Sequence, residues 1–309
     1  MVHSPMQWKH LPVAAALALL LASPLQVHAA NERSFFNALE RYGADDFSSC
    51  ARLLDDLLQR GGHFPEGGEL LLVECTAAAG DLGKAMDHVT TLLPSGRLSA
   101  EDLLRKDRPG LNALRNDPAW PDMRKRVLAA DQRRLALLDA PLRRELLARA
   151  ERDQAAQHAA VDAGGGDAFR AAAPVIRANA DWLRSVVDDK GWPTYALAGR
   201  DGAKAAWLLV QHADHDPVFQ AEMLPLIESA AKAGQADPAD LALLTDRVLL
   251  AQGKPQRYGS QFTQAGDGAM ELRPTEDMEG LDARREAMGL QPLAQYKATL
   301  AEMYGRPVR

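Results

Sequence analysis

Apolar side chains return every three or four positions through most of residues 31–309, and no stretch alternates apolar and polar with the period of two that sustains a sheet. Such periodicity buries its apolar stripe only by packing helix on helix. Composition agrees, with aromatic residues at 6% and alanine abundant. The expected fold class is all-α: helical hairpins in the N-terminal part, then an α-helical domain with one irregular segment, "KPQRYGSQFTQAGDGAMELRPT".

The first residues read as a targeting segment and are set apart from the fold. Lys9 and a few polar residues precede the apolar run Leu11–Ala22. Pro24 and the small-residue pattern Val27-His28-Ala29 follow. This is the layout of a secretory signal peptide over residues 1–29, its apolar run too short for a transmembrane helix. Cleavage is expected after Ala29, with Ala30 as second choice, and the mature chain is expected to be periplasmic or secreted and not membrane-bound. Removing Lys9 leaves 35 basic against 42 acidic residues, a balance of −7. No basic stripe interleaved with aromatics is present, so no nucleic-acid partner is expected. Cys50 and Cys75 are an even pair in an oxidising compartment, each inside its own apolar helix pattern. They are a candidate disulfide, with two buried free thiols as the alternative.

Residues 30–130 read as short helices. "PEGGELLLVECTAAAGD" and "LGKAMDHVTTLL" form an antiparallel pair turned at Gly80-Asp81. The pair resembles a tetratricopeptide-type hairpin, and "DLLRKDRPGLNALRNDPAW" resembles the segment that closes such arrays in exported bacterial proteins. The resemblance implies a surface for a protein partner. A boundary is placed near residue 130, and residues 131–309 form a second helical domain whose helices begin at Pro141, Pro217 and Pro238, each behind an aspartate suited to capping.

Three polar stretches interrupt the apolar patterns of the second domain. "WLLVQHADHDPVFQ" carries Gln211, His212 and Asp214, with the helix broken before Pro217 because the residue preceding a proline avoids helical geometry. "LTDRVLL" puts Asp246 and Arg247 inside an apolar helix, where adjacent side chains diverge by ~100° and each needs a separate partner. An Asp246–His212 contact, an Arg247–Asp214 contact, or both, are expected. "GKPQRYGSQF" carries Gln256, Tyr258 and Gln261, whose amides and phenol suit a neutral polar ligand, or equally the loop's own backbone. His212 and His215 are two imidazoles without a third ligand, and His63, His88 and His158 have no spacing that completes a set, so no metal site is expected. No Gly-rich phosphate loop, nucleophile elbow or Cys–His motif is present, and no cofactor is expected.

These stretches occur in order after Asp153-Gln154 and "DKGWPT", and before "EDMEGLDARREAMGLQPLAQY". The set resembles a bacterial domain family of unknown function with the pattern D-Q, G-W-P, A-W-L-L-V-Q-H-A-D, L-x-D-R-V and G-x-P-Q-x-Y-G-T-Q, over roughly residues 140–300. Ser260 stands where threonine is usual, and Gln157 where a basic residue is expected. The positions implied are Asp153, Gln154, Trp192, Gln211, His212, Asp214, Asp246, Arg247, Gln256, Tyr258 and Gln261. The resemblance implies no reaction. Three readings stay open: an exported binding module with a polar pocket, a hydrolase using His212 with Asp246 and Arg247, and a structural polar core without ligand.

Overall fold

Side-chain caps open seven of the helices. In the computed structural model, which describes residues 35–61, 64–163 and 169–309, the carboxylates of Asp46, Asp81, Asp139, Asp216 and Asp237 each accept a backbone N–H of the first turn of the helix that follows, as do the hydroxyls of Ser99 and Thr194. The signal-peptide segment, His63 and most of "DAGGGDAF" lie outside the described residues. The chain is mostly helical, as its periodicity predicts.

The first part holds a helical run α1 (35–43), then α2 (Phe47–Gln59), α3 (Gly68–Ala78), α4 (Leu82–Leu92), α5 (Ala100–Arg105), α6 (Pro109–Asn116) and α7 (Trp120–Leu135). Buried apolar residues from Phe35 to Val127 form one cluster. Helix α3 runs through its centre and is buried on nearly every side. Cys50 of α2 and Cys75 of α3 are joined by a disulfide, and a link closing a loop of that length contributes about 3 kcal/mol in chain-entropy terms. Gly110 is required where α6 crosses α3, because a Cβ there would lie 2.1 Å from the carbonyl oxygen of Glu74. The closeness lets buried Glu74 accept the N–H groups of Gly110 at 3.0 Å and Leu111 at 2.7 Å, which places an anion on the open end of α6.

A second cluster runs from Leu142 to Val248. It is built by α8 (Ala140–Asp162), α9 (Phe169–Lys190), α10 (Tyr195–Gln211), α11 (Pro217–Lys232) and α12 (Pro238–Ala251). Helix α10 packs on α8 and α9, and α11 on α12. The irregular segment contains one small antiparallel hairpin, β1 (Phe262–Gln264) with β2 (Met270–Leu272), paired Phe262↔Leu272. Three-residue strands carry too little alternation to stand out in sequence. The chain then closes with α13 (Leu281–Glu286) and α14 (Leu293–Tyr304), and Arg309 pairs back onto Met270 and Leu272. No described helix is long and apolar enough to cross a membrane.

Candidate functional site

Helix α8 buries Leu142, Leu146, Ala150 and Ala160 along one stripe, and Asp153 occupies the same stripe with 0% exposure. Helix α9 faces it with Ala172, Ile176, Ala180 and Leu183, and Asn179 sits among them. Burying two polar groups at one level is tolerable only if they satisfy each other. The Asn179 amide donates to Asp153 Oδ2 at 3.1 Å and accepts from Arg149 Nη1 at 3.2 Å. Arg149 is itself stacked over Trp182, 4.3 Å from the ring centre.

The other oxygen of Asp153 meets His212 Nδ1. His212 caps the C-terminal end of α10, where Ala213 leaves the helix. A carboxylate only accepts, so this contact puts a proton on Nδ1, and in the neutral ring the lone pair is then on Nε2. The imidazole is 18% exposed, and Nε2 has no partner among the described residues.

The turn after His212 is held from both sides. Buried Gln220 of α11 donates to the carbonyls of Val210 at 3.1 Å and Gln211 at 3.2 Å and to Asp214 Oδ1 at 3.2 Å. Asp216 caps α11. The Phe219 N–H and then Arg184 hold its carboxyl below the usual carboxylate range. Arg247 Nη1 lies 2.8 Å from both oxygens of Asp214. Two buried polar atoms at this corner have no partner among the described residues, Gln211 Oε1 and Arg247 Nε.

Asp246 does not reach His212. Its carboxylate, also 0% exposed, accepts the backbone N–H groups of Arg257 at 2.7 Å, Tyr258 at 2.8 Å and Ser260 at 2.9 Å. The loop turns at Gly259, whose φ of +64° favours glycine and whose absent side chain leaves room for Leu281. Buried Arg285 donates to the carbonyls of Tyr258 at 2.6 Å, Gly259 at 3.3 Å and Gln291 at 2.8 Å. One buried anion therefore gathers the loop's donors and one buried cation its acceptors. Burial pushes the Arg285 guanidinium below its usual range.

Gln256 is enclosed and closes the same loop. It accepts from the Gln261 N–H at 2.8 Å and donates to the carbonyls of Gln261 at 3.0 Å and Arg273 at 3.1 Å. The Gln261 side chain bonds Ser260 Oγ at 3.1 Å. Tyr258 is half-buried, and burial raises its phenol above the usual range. The three polar stretches thus form a relay of neighbours: Asp153 with His212, Asp214 with Arg247, and Asp246 with the loop. Among the described residues no three His, Cys, Asp or Glu side chains converge as a metal site.

Residues 140–309 match a family of unknown function, DUF6624. The chain belongs to that family. Comparison with curated proteins and with solved structures gave no match. The DUF6624 region holds every residue of the relay, and the hinge of its polar corner is a pair that sequence reasoning left incomplete. Asn179 was missed, although an amide in the stripe of Ile176 and Leu183 carries the same signal as Asp246 in its own helix. Arg285 was missed because nothing local to "DARRE" tells which of its charges turns inward.

Proposed function

We propose that the chain is an exported protein whose DUF6624 domain binds a small, neutral, polar ligand at the His212 corner. One observation carries the reading: Asp153 holds Nδ1 of His212 while Nε2 stays without a partner, beside the unspent Gln211 Oε1 and Arg247 Nε. Buried polar atoms are rarely left unpaired in a finished core. A ligand with adjacent hydroxyl or amide groups supplies both a donor for Nε2 and an acceptor for the arginine. The Leu11–Ala22 run and the Cys50–Cys75 bridge support export. The hairpin pattern of the N-terminal half supports a role for it as a partner surface.

The same pair favours one second reading, acid–base hydrolysis. A histidine whose Nδ1 is oriented by a buried carboxylate is poised to take a proton from water at Nε2. In that reading Asp153 replaces Asp246 as the orienting group, and Arg247, whose Nη1 is engaged by Asp214, offers Nε and Nη2 to developing charge.

Thermal unfolding of the mature protein with neutral sugars, cell-wall saccharides and amides, on wild type and on His212→Ala, tests the proposal. A saccharide or amide that stabilises wild type and not the folded variant is the expected result. Turnover of that compound by wild type alone selects the hydrolase. If no compound shifts the midpoint and His212→Ala only loses stability, the corner is a structural polar core.

A further inference from the structure

The opposite end of α10 carries a second polar constellation, where the two halves of the chain meet. A cavity of about 480 Å³ lies between the segment before α3 and the start of α12, and is lined by Glu66, Tyr195, Arg200 and Asp237 among others. Three cations line it. Arg97 pairs with Glu69 and Lys232 with Glu228, but Arg200 has no ion pair or hydrogen bond among the described residues. Its guanidinium carbon lies over Tyr195, 4.0 Å from the ring centre, just past the break in α10 at Gly199. A guanidinium fixed by stacking keeps its fork of donors ready for a planar anion.

The acidic side is equally unfinished. The Glu66 and Asp237 carboxyls line the same cavity and act on each other across the seam. Burial, then Asp237, raises Glu66 above the usual carboxylate range, while Lys204 and Arg200 oppose the shift. Asp240 lies behind them, pushed up to about 7 by burial despite its contact with Lys204. Trp192 lines a small inner chamber with Glu66, Asp237 and Asp240, and its buried indole N–H has no partner among the described residues. Arg200 and the Glu66 and Asp237 carboxyls thus border one cavity, with the Trp192 N–H in a smaller chamber behind it.

We propose that this cleft is a second ligand site, taking a short zwitterion with its carboxylate on Arg200 and its ammonium between Glu66 and Asp237. Its volume falls in the range that small ligands occupy. An ammonium is favoured by an ionised Glu66, whose pKa lies above the usual carboxylate range, so binding strengthens as pH rises through the titration of Glu66. Nothing in this site involves His212, and the two sites stand or fall separately.

Isothermal titration of the full mature protein with alanyl-alanine, alanine, N-acetylalanine and alaninamide, near neutral pH and again near pH 5, tests the site. Alanyl-alanine or alanine is expected to bind, and whichever is tighter identifies a peptide or a free amino acid as the source. The two single-charge analogues and the Arg200→Gln and Glu66→Gln variants are each expected to bind about tenfold or more weakly, the equivalent of one lost charged hydrogen bond. Arg200→Lys restores part of the affinity, and His212→Ala leaves it unchanged. Proton release, read from the dependence of heat on buffer ionisation, is expected in wild type and lost in Glu66→Gln. Failure of both zwitterions to bind at millimolar concentration, or affinity indifferent to Arg200→Gln in a variant with wild-type circular dichroism, overturns the proposal.

Discussion

Asp153 and Asp246 are both fully buried carboxylates on helices of one domain, yet they do different work. Asp246 spends its oxygens on three backbone N–H groups of one loop. Those donors have no other state to offer, so the carboxylate is architecture. Asp153 spends its oxygens on two side chains, Asn179 and His212, and the second keeps a free ring nitrogen near solvent. Burial of a charge therefore does not distinguish a scaffold from a site. What it is bonded to does, because a side chain passes an orientation on to another atom while a backbone amide does not.

The comparison breaks most visibly at Asp246. Asp246→Ala strands three enclosed N–H groups and is expected to cost about 4 kcal/mol in urea unfolding, since each buried unsatisfied donor costs roughly 1–3 kcal/mol with partial relaxation. A cost under about 1 kcal/mol would mean that the loop does not depend on this anion. His212→Ala is expected to cost less, about 2 kcal/mol, because Asp153 keeps Asn179 and gains water through the space left by a partly exposed ring. If it proves as damaging as Asp246→Ala, the two carboxylates are both architecture.

The third effect is one of pH and concerns Asp240. Its folded pKa of about 7 lies above its ordinary 3.8. Between these values the folded state holds a proton that the unfolded state has released, so this group's contribution to stability falls as pH rises from about 4 to about 7. Asp240→Asn removes that slope. Subtracting its stability curve from that of wild type is expected to leave a difference that declines over this window and is flat above it. A difference that rises instead would show that Lys204 governs the site and holds the carboxylate ionised.

Much of this was legible from local signals. The helix starts at Pro141, Pro217 and Pro238 follow from an aspartate cap and a proline in the first turn, and each cap is made by the residue expected. The adjacency of Asp246 and Arg247 on a helix implied separate partners, and Arg247 lies on Asp214. The partner of Asp246 was not legible, because the sequence drew attention to the only conspicuous side chain nearby. Every residue carries a backbone N–H, so a loop that turns three of them inward at Gly259 looks like any other. Tyr258 and Gln256 suffered the same ambiguity, and Gln256 proves to be enclosed within its own loop.

Periodicity and caps act within four residues, and those determined the helices, their ends, and which buried charges needed an explanation. The pairing of Asp153 with His212 joins residues 59 apart, and that of Arg285 with Tyr258 joins residues 27 apart. Across such distances the choice of partner depends on how α8, α9 and α10 stack and how the loop folds over α12. The sequence therefore decided that polar groups would have to meet inside this domain. Only the tertiary structure decided that one of them would be left with a free nitrogen.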